Sequence, residues 1–280
     1  MKKSKQDGVY FFWSASILIC MLLAVFVLGF PSCKKDSQIP AESSSPAATE
    51  DSSDPSENPE ASPSQIPGVV TSPTESTAAR LGETEDMGQE YVDKFIFLGD
   101  STTYGLGYYD VVPDTQVWTP KSGTLTLSLW STATIVYPDE NTEISIKDAV
   151  SKKQPEYMLI TLGVNGVSFM EEEYFITEYT NLVLAIKEAS PNTKIILNSI
   201  YPVSVNYPAS KGITNEKIDT ANTWVERLAN STGVKYLDSE SVLKGSDGAL
   251  VESYHNGDYL HLNADSFKLV IDYLKTHGYQ

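Results

Sequence analysis

Four short apolar runs, separated by longer stretches of helical period, dominate residues 91–280. Phe95-Ile96-Phe97-Leu98 ends at Gly99, and Tyr157-Met158-Leu159-Ile160-Thr161-Leu162 ends at Gly163. Ile195-Ile196-Leu197 and Val234-Lys235-Tyr236-Leu237 complete the set. Runs of this length, with little polar alternation, suit strands covered on both faces, as in a parallel sheet. Between them, Phe175, Tyr179, Leu182, Val183 and Ile186 fall at helical spacing, as do Ile218, Ala221, Trp224, Val225 and Leu228. Another helix is expected to begin near Ser145. A last one should start after Asn263 as N-cap and bury Phe267, Val270, Ile271 and Leu274, with Gly278 placed to stop it. Strand–helix alternation predicts an α/β fold, a three-layer αβα sandwich around a mostly parallel sheet. Residues 123–137 break the rhythm. Thr124-Leu125-Thr126-Leu127-Ser128-Leu129 alternates with period two and is expected to pair with Thr134-Ile135-Val136-Tyr137, a small β-hairpin insertion on an exposed edge.

The rest of the 280-residue chain differs in composition. Residues 1–35 carry five lysines against one Asp around a long apolar run, and residues 36–90 carry twelve acidic residues against Arg80 alone, with seven prolines. The net charge of −17 divides into +4, −11 and −10 for residues 1–35, 36–90 and 91–280. Only the last segment has the apolar content for a core, and its length suits one domain. Acidic segments repel phosphate backbones, so no nucleic-acid partner is expected. Cys20 and Cys33 both lie in or beside the apolar run. A disulfide framework, a cysteine-ligated metal and a cysteine nucleophile are therefore excluded from residues 91–280.

Residues 8–32 are uncharged and follow Lys2, Lys3 and Lys5. As a helix, residues 9–30 would span roughly 33 Å, about the thickness of a bilayer's hydrocarbon core. That length favours an uncleaved signal anchor over a cleaved secretory signal. The rival reading is a lipoprotein signal, because Phe30-Pro31-Ser32-Cys33 resembles a lipobox ending in a lipid-bearing cysteine. Ser32 fits that pattern; Phe30 and Pro31 fit it poorly. Either reading tethers the chain to a membrane, with the remainder extracellular. Residues 36–90, rich in Pro, Ser, Glu and Thr, read as a disordered linker with a reach on the order of 40 Å.

In a parallel α/β sheet, ligands bind beyond the carboxyl ends of the strands. Three segments at or near such ends carry reactive groups: Gly99-Asp100-Ser101-Thr102, Gly163-Val164-Asn165-Gly166, and Asp258-Tyr259-Leu260-His261-Leu262-Asn263. Serine, asparagine, aspartate and histidine at one edge supply what acyl transfer needs: nucleophile, oxyanion donor, orienter and base. Each alone has a plainer reading. Ser101 could be a helix N-cap, Asn165 a turn residue, Asp258 a turn former and His261 a loop histidine.

Together and in order, Phe97-Leu98-Gly99-Asp100-Ser101, Gly163-Val164-Asn165 and Asp258-x-x-His261 resemble blocks of the SGNH (GDSL-type) hydrolase superfamily, over roughly residues 95–275. The Gly-x-Ser-x-Gly elbow of the larger α/β-hydrolase family is absent. The resemblance implies a flavodoxin-like sandwich and a serine esterase without a cofactor. It implies Ser101 as nucleophile, His261 as base and Asp258 as the group that fixes the imidazole tautomer. The Ser101 N–H and the Asn165 amide would form the oxyanion hole. The family's additional oxyanion glycine has no clear counterpart. Gly123 is a candidate by order alone, since no glycine lies between it and Gly163.

Other candidates are weaker. His255 is read as a rival base lacking a carboxylate at the spacing of Asp258, and His277 suits the negative end of the last helix. Asp258 and His261 gain no further ligand to complete a metal site. Gly105-Leu106-Gly107 lacks the third glycine of a dinucleotide loop, and Glu171-Glu172-Glu173 reads as an acidic first helical turn. Tyr104, Tyr108, Tyr109 and Trp118 crowd the loop after the nucleophile, placed to stack on sugars, to pack on an acyl chain or to join the core. The resulting expectation is a membrane-tethered esterase acting on short acyl esters, such as O-acetyl groups, of a small molecule or a cell-wall glycan. An acyltransferase using the same acyl-enzyme and a non-catalytic glycan-binding protein are the alternatives.

Overall fold

The computed structural model describes residues 79–280. The expected anchor or lipoprotein signal, Cys33 included, and linker residues 36–78 lie outside the described residues. Among the described residues, no helix is long and apolar enough to cross a membrane.

Five parallel strands form the sheet: β1 (Phe95–Gly99), β2 (Val117–Trp118), β5 (Tyr157–Thr161), β6 (Lys194–Asn198) and β7 (Lys235–Leu237), in spatial order β2-β1-β5-β6-β7. The antiparallel pair β3 (Thr134–Tyr137) and β4 (Thr142–Ser145) stands apart as a second sheet. Successive side chains of a strand point to opposite faces, and the core divides accordingly. Ile96, Leu98, Met158, Ile160, Ile195 and Leu197 pack with α3 (Ile146–Lys153), α4 (Glu172–Ala189) and α5 (Asn215–Thr232). Phe95, Phe97, Tyr157, Leu159, Ile196 and Leu237 pack on the other side with α1 (Gly88–Val92), α2 (Ser101–Tyr108) and α6 (Ala264–Lys275). Both faces are covered, which is why the strands read as continuous apolar runs.

The predicted helix starts hold. Ser145 caps α3 by accepting from the Asp148 N–H, and Asn263 caps α6 by accepting from the Ser266 N–H. Glu171 precedes α4, so the three glutamates do form its acidic start. Gly278, however, does not stop α6. The helix ends at Lys275, where the His277 ring nitrogen reaches the Tyr273 carbonyl at 2.9 Å. Gly278 lies beyond, its N–H donating to Thr84 Oγ1 at 3.0 Å.

The expected hairpin is also corrected. Residues 124–129 form no strand; Leu127–Leu129 is a 3₁₀ turn, and β3 pairs instead with β4. Leu125 and Leu127 go into the core while Leu129 stays exposed, so the alternation reflects one chain edge dipping inward rather than a paired strand. The real pair closes through Pro138-Asp139-Glu140-Asn141, a loop as long as the expected one, with Asn141 at φ 50° in the left-handed region that asparagine tolerates.

The linker boundary moves as well. Residues 79–90 belong to the domain rather than to a disordered linker. The Tyr236 N–H donates to the Ala79 carbonyl and the Leu81 N–H to the Tyr236 carbonyl, each at 2.9 Å, so this segment covers the open edge of β7. Ala79 and Leu81 are buried, and Arg80 bridges Glu226 and Asp238 over the Tyr236 ring. The opposite edge of the sheet is the two-residue β2.

Candidate active site

Chain order reverses about β1, since β2 lies on one side and β5 to β7 on the other. The crevice at the carboxyl ends of β1 and β5 is the switch point where such sheets take ligands. Asp100 and Ser101 follow β1 directly, and Asn165 lies four residues after β5.

A tight sequence of contacts sets Ser101 there. Gly99 ends β1 where a Cβ would overlap Thr103 and the Thr161 carbonyl, so only glycine lets the chain turn into α2. Asp100 is the N-cap: its Oδ1 accepts from the Thr102 N–H at 2.9 Å and from Thr102 Oγ1 at 2.7 Å. Ser101 thus heads the helix, where N–H groups lack intrahelical acceptors and the dipole favours negative charge. Gly105 lets α2 lie directly on the Phe267 ring of α6, because a Cβ there would overlap it. The same contact holds α2 against the helix that follows the histidine loop. This packing, rather than a nucleotide loop, accounts for Gly105.

Residues 254–263 double back on themselves. The Asn256 N–H donates to the His261 carbonyl at 2.8 Å and the Asn263 N–H to the Tyr254 carbonyl at 2.9 Å, with Gly257 and Tyr259 at positive φ near the tip. Asp258 Oδ1 accepts from the His261 and Leu260 N–H groups at 2.8 and 2.9 Å, while its Oδ2 meets His261 Nδ1 at 2.7 Å. His261 Nε2 in turn lies 2.8 Å from Ser101 Oγ. Three groups separated by 160 residues therefore form one hydrogen-bonded row. Burial pushes the Asp258 carboxyl up, but the His261 ring and the two backbone donors outweigh it and hold the group below the usual carboxylate range. An ionised Asp258 on Nδ1 turns the lone pair of Nε2 toward the Ser101 hydroxyl, the arrangement in which it can accept that proton.

Asn165 is held just as firmly. Its Nδ2 donates to Asp100 Oδ2 at 2.7 Å and to the Leu125 carbonyl at 3.3 Å. Asp100 is fully buried, and burial pushes its carboxyl up against the Thr102 hydrogen bonds, the His261 charge and Asn165, all of which pull it down. The link from Asp100 to Asn165, 65 residues away, is a tertiary contact no local pattern reveals.

Gly123 does lie beside Ser101: a Cβ on it would stand 3.8 Å from that of Ser101. Its N–H donates to the Pro120 carbonyl at 2.8 Å in a turn with φ 74°. His255 lies outside the row. It does have a carboxylate three residues earlier, Glu252, whose Oε1 lies 3.3 Å from Nε2; Ser204 Oγ donates to the other carboxylate oxygen at 2.8 Å. The pair ties the histidine loop to the loop after β6, which also bonds Tyr259 through Ser204 N–H at 2.9 Å. Of the four aromatics, Trp118 is buried against Tyr137 and Tyr109 packs on the α6 side of the core. Tyr104 is exposed and stacks on Tyr108. Phe169 and Val205, on the loops after β5 and β6, are exposed apolar groups that the sequence reading did not single out.

Solved structures with this fold include a protein provisionally assigned as a platelet activating factor from Streptococcus pneumonia, with 19% identity, a TM-score of 0.50, and coverage of 65% of this chain and 82% of that one. A provisionally assigned acylhydrolase from Bacteroides fragilis is 18% identical over 64% of this chain and 82% of its own, with a TM-score of 0.49. An acetylxylan esterase from Geobacillus stearothermophilus is 18% identical over 66% and 94%, with a TM-score of 0.42. No curated protein matches the chain. Residues 97–269 match the GDSL-like Lipase/Acylhydrolase family, a span that opens within β1, closes within α6 and takes in both the serine and the histidine loop. The chain belongs to the GDSL-like lipase/acylhydrolase family.

Proposed function

We propose that residues 79–280 form a serine esterase that hydrolyses short acyl esters, with O-acetyl groups on carbohydrate as the preferred class. The observation that carries this reading is the Ser101–His261–Asp258 row, with separations of 2.8 and 2.7 Å. Ser101 Oγ attacks the ester carbonyl as His261 Nε2 takes its proton. The tetrahedral intermediate collapses, the alcohol leaves with that proton, and an acyl-serine remains. Water, deprotonated by His261, then attacks the acyl-serine and releases the acid. The Ser101 N–H and the Asn165 amide stabilise the oxyanion, Asn165 exchanging its long contact with Leu125 for the developing charge. Gly123 can contribute only if its turn opens, because its N–H already donates to Pro120.

The N-terminal apolar run supports a membrane tether with the domain on the outer side, carried either by an anchor helix or by lipid on Cys33. The reaction is tested with p-nitrophenyl acetate and the full chain, alongside Ser101→Ala and His261→Ala. A fall of three or more orders of magnitude in kcat is expected for both, from the usual cost of losing a triad member. Wild-type turnover equal to that of both variants would remove the proposal.

A further inference from the structure

A cleft of about 350 Å³ opens beside the nucleophile, between residues 120–126, the turn at Leu127–Leu129, and the β3–β4 hairpin. It adjoins the reacting groups through its own wall. Gly123, between the lining residues Ser122 and Thr124, lies against Ser101, and the carbonyl of lining residue Leu125 contacts Asn165. We infer that this cleft is a subsite for a neutral pyranosyl unit, the sugar whose ester is presented to Ser101. The inference rests on the esterase reading only for its orientation.

The lining chemistry selects the ligand. Ser122, Thr124, Thr126, Thr132 and Thr134 contribute hydroxyls, each able to donate and to accept, which matches the mixed capacity of sugar hydroxyls. Leu129, with more than half its surface exposed, supplies an apolar platform for the C–H face of a ring. An acyl chain fits poorly, since it would strip water from these hydroxyls and return no hydrogen bond. A polyanion fits poorly too. Lys121 is the cleft's one basic lining residue and lies 3.8 Å from Glu143, and residues 91–280 carry a net charge of −10. The volume sits at the small end of the range for small-molecule sites, about 300–1,000 Å³, so it suits a sugar unit rather than a long polymer segment.

Binding separates the subsite from the reaction. Full-length Ser101→Ala protein would be titrated by calorimetry with xylotriose, cellotriose and N,N′,N″-triacetylchitotriose, and with trigalacturonate and octanoate as the anionic and acyl probes. At least one neutral trisaccharide should bind. Leu129→Ser and Thr134→Val, both at exposed positions, should each weaken that binding by fivefold or more. In the catalytically intact protein the same substitutions should lower the ratio of kcat/KM on the acetylated trisaccharide to that on p-nitrophenyl acetate. The inference is overturned if no neutral trisaccharide binds, if trigalacturonate or octanoate binds instead, or if both substitutions leave sugar binding as it was. Sugar binding without acetate release by the intact protein would overturn the esterase reading and leave the subsite standing.

Discussion

Replacing Asp100 by asparagine should slow catalysis without weakening the fold, although Asp100 lies outside the serine–histidine–aspartate row. Its Oδ2 accepts the Asn165 amide at 2.7 Å, and Asn165 is the side-chain donor of the proposed oxyanion hole. In Asp100→Asn the Oδ1 side can keep its two Thr102 bonds, but an NH₂ group then faces the Asn165 NH₂. Two donors cannot share that contact, so Asn165 must rotate or retreat. Complete loss of one such donor costs about 2.7–4 kcal/mol of barrier, or roughly 10²–10³ in kcat. A misdirected donor retains part of its effect, so about ten- to hundredfold in kcat is expected, equal to about 1.4–2.7 kcal/mol. KM should move little, because the lost interaction belongs to the transition state.

Stability should respond in the opposite sense. Burial raises the Asp100 pKa, so its contribution to stability is present below the ordinary carboxylate pKa of about 3.9 and is lost as pH rises through the folded-state value. Asparagine carries no such loss. Urea unfolding should therefore show Asp100→Asn gaining on wild type as pH climbs from 3 to 7. The decisive assay is the cycle of Asp100→Asn, Asn165→Ala and the double variant. If Asp100 acts through Asn165, the double variant should be no slower than Asn165→Ala alone. Additive losses in log kcat, or an Asp100→Asn kcat within twofold of wild type, would refute the reasoning.

Other perturbations probe the supporting structure. Gly105→Ala should destabilise the domain by about 1–3 kcal/mol in urea titration, since the new methyl overlaps Phe267 in a packed core. Trimming the chain to begin at Tyr91 rather than Ala79 should cost about 1.5–3 kcal/mol through loss of buried Leu81 alone, read as a lower unfolding midpoint. Asp258 titrates below the usual carboxylate range, so its contribution to stability is present above about pH 3.9 and is lost only as pH falls through the lower folded value. The stability difference between wild type and Asp258→Asn should accordingly shrink only below about pH 4, by urea titration at stepped pH.

What the sequence made legible follows the distance over which each structural decision is taken. Strands β1, β5, β6 and β7 were readable because each is covered on both faces of the sheet and so carries its signal in consecutive residues. The caps at Ser145 and Asn263 were readable because a cap lies three residues from the group it satisfies. Asp258 and His261 also meet within three residues, and Ser101 and Asn165 follow strands that could be recognised. Local spacing even contained the Glu252–His255 pair, which contradicts the expectation that His255 has no carboxylate at that spacing.

The misread elements lie at the periphery, where pairing is decided elsewhere in the chain. β2 has two residues and owes its strand geometry to Phe97 and Leu98 of its neighbour. Residues 79–81 have a linker's composition, yet they are ordered because β7 leaves its outer backbone groups open. Thr124 to Leu129 carry a strand's alternation, but once Leu125 and Leu127 are buried the chain must turn to reach β3. The segment runs from Gly123, which lies against Ser101, to Leu129, exposed at the cleft. The segment least legible from sequence is thus one that lies against Ser101. Because Ser101 and Asn165 follow β1 and β5 and not this insertion, substitutions in the insertion can reshape the surface beside Ser101 while leaving the strand ends in place.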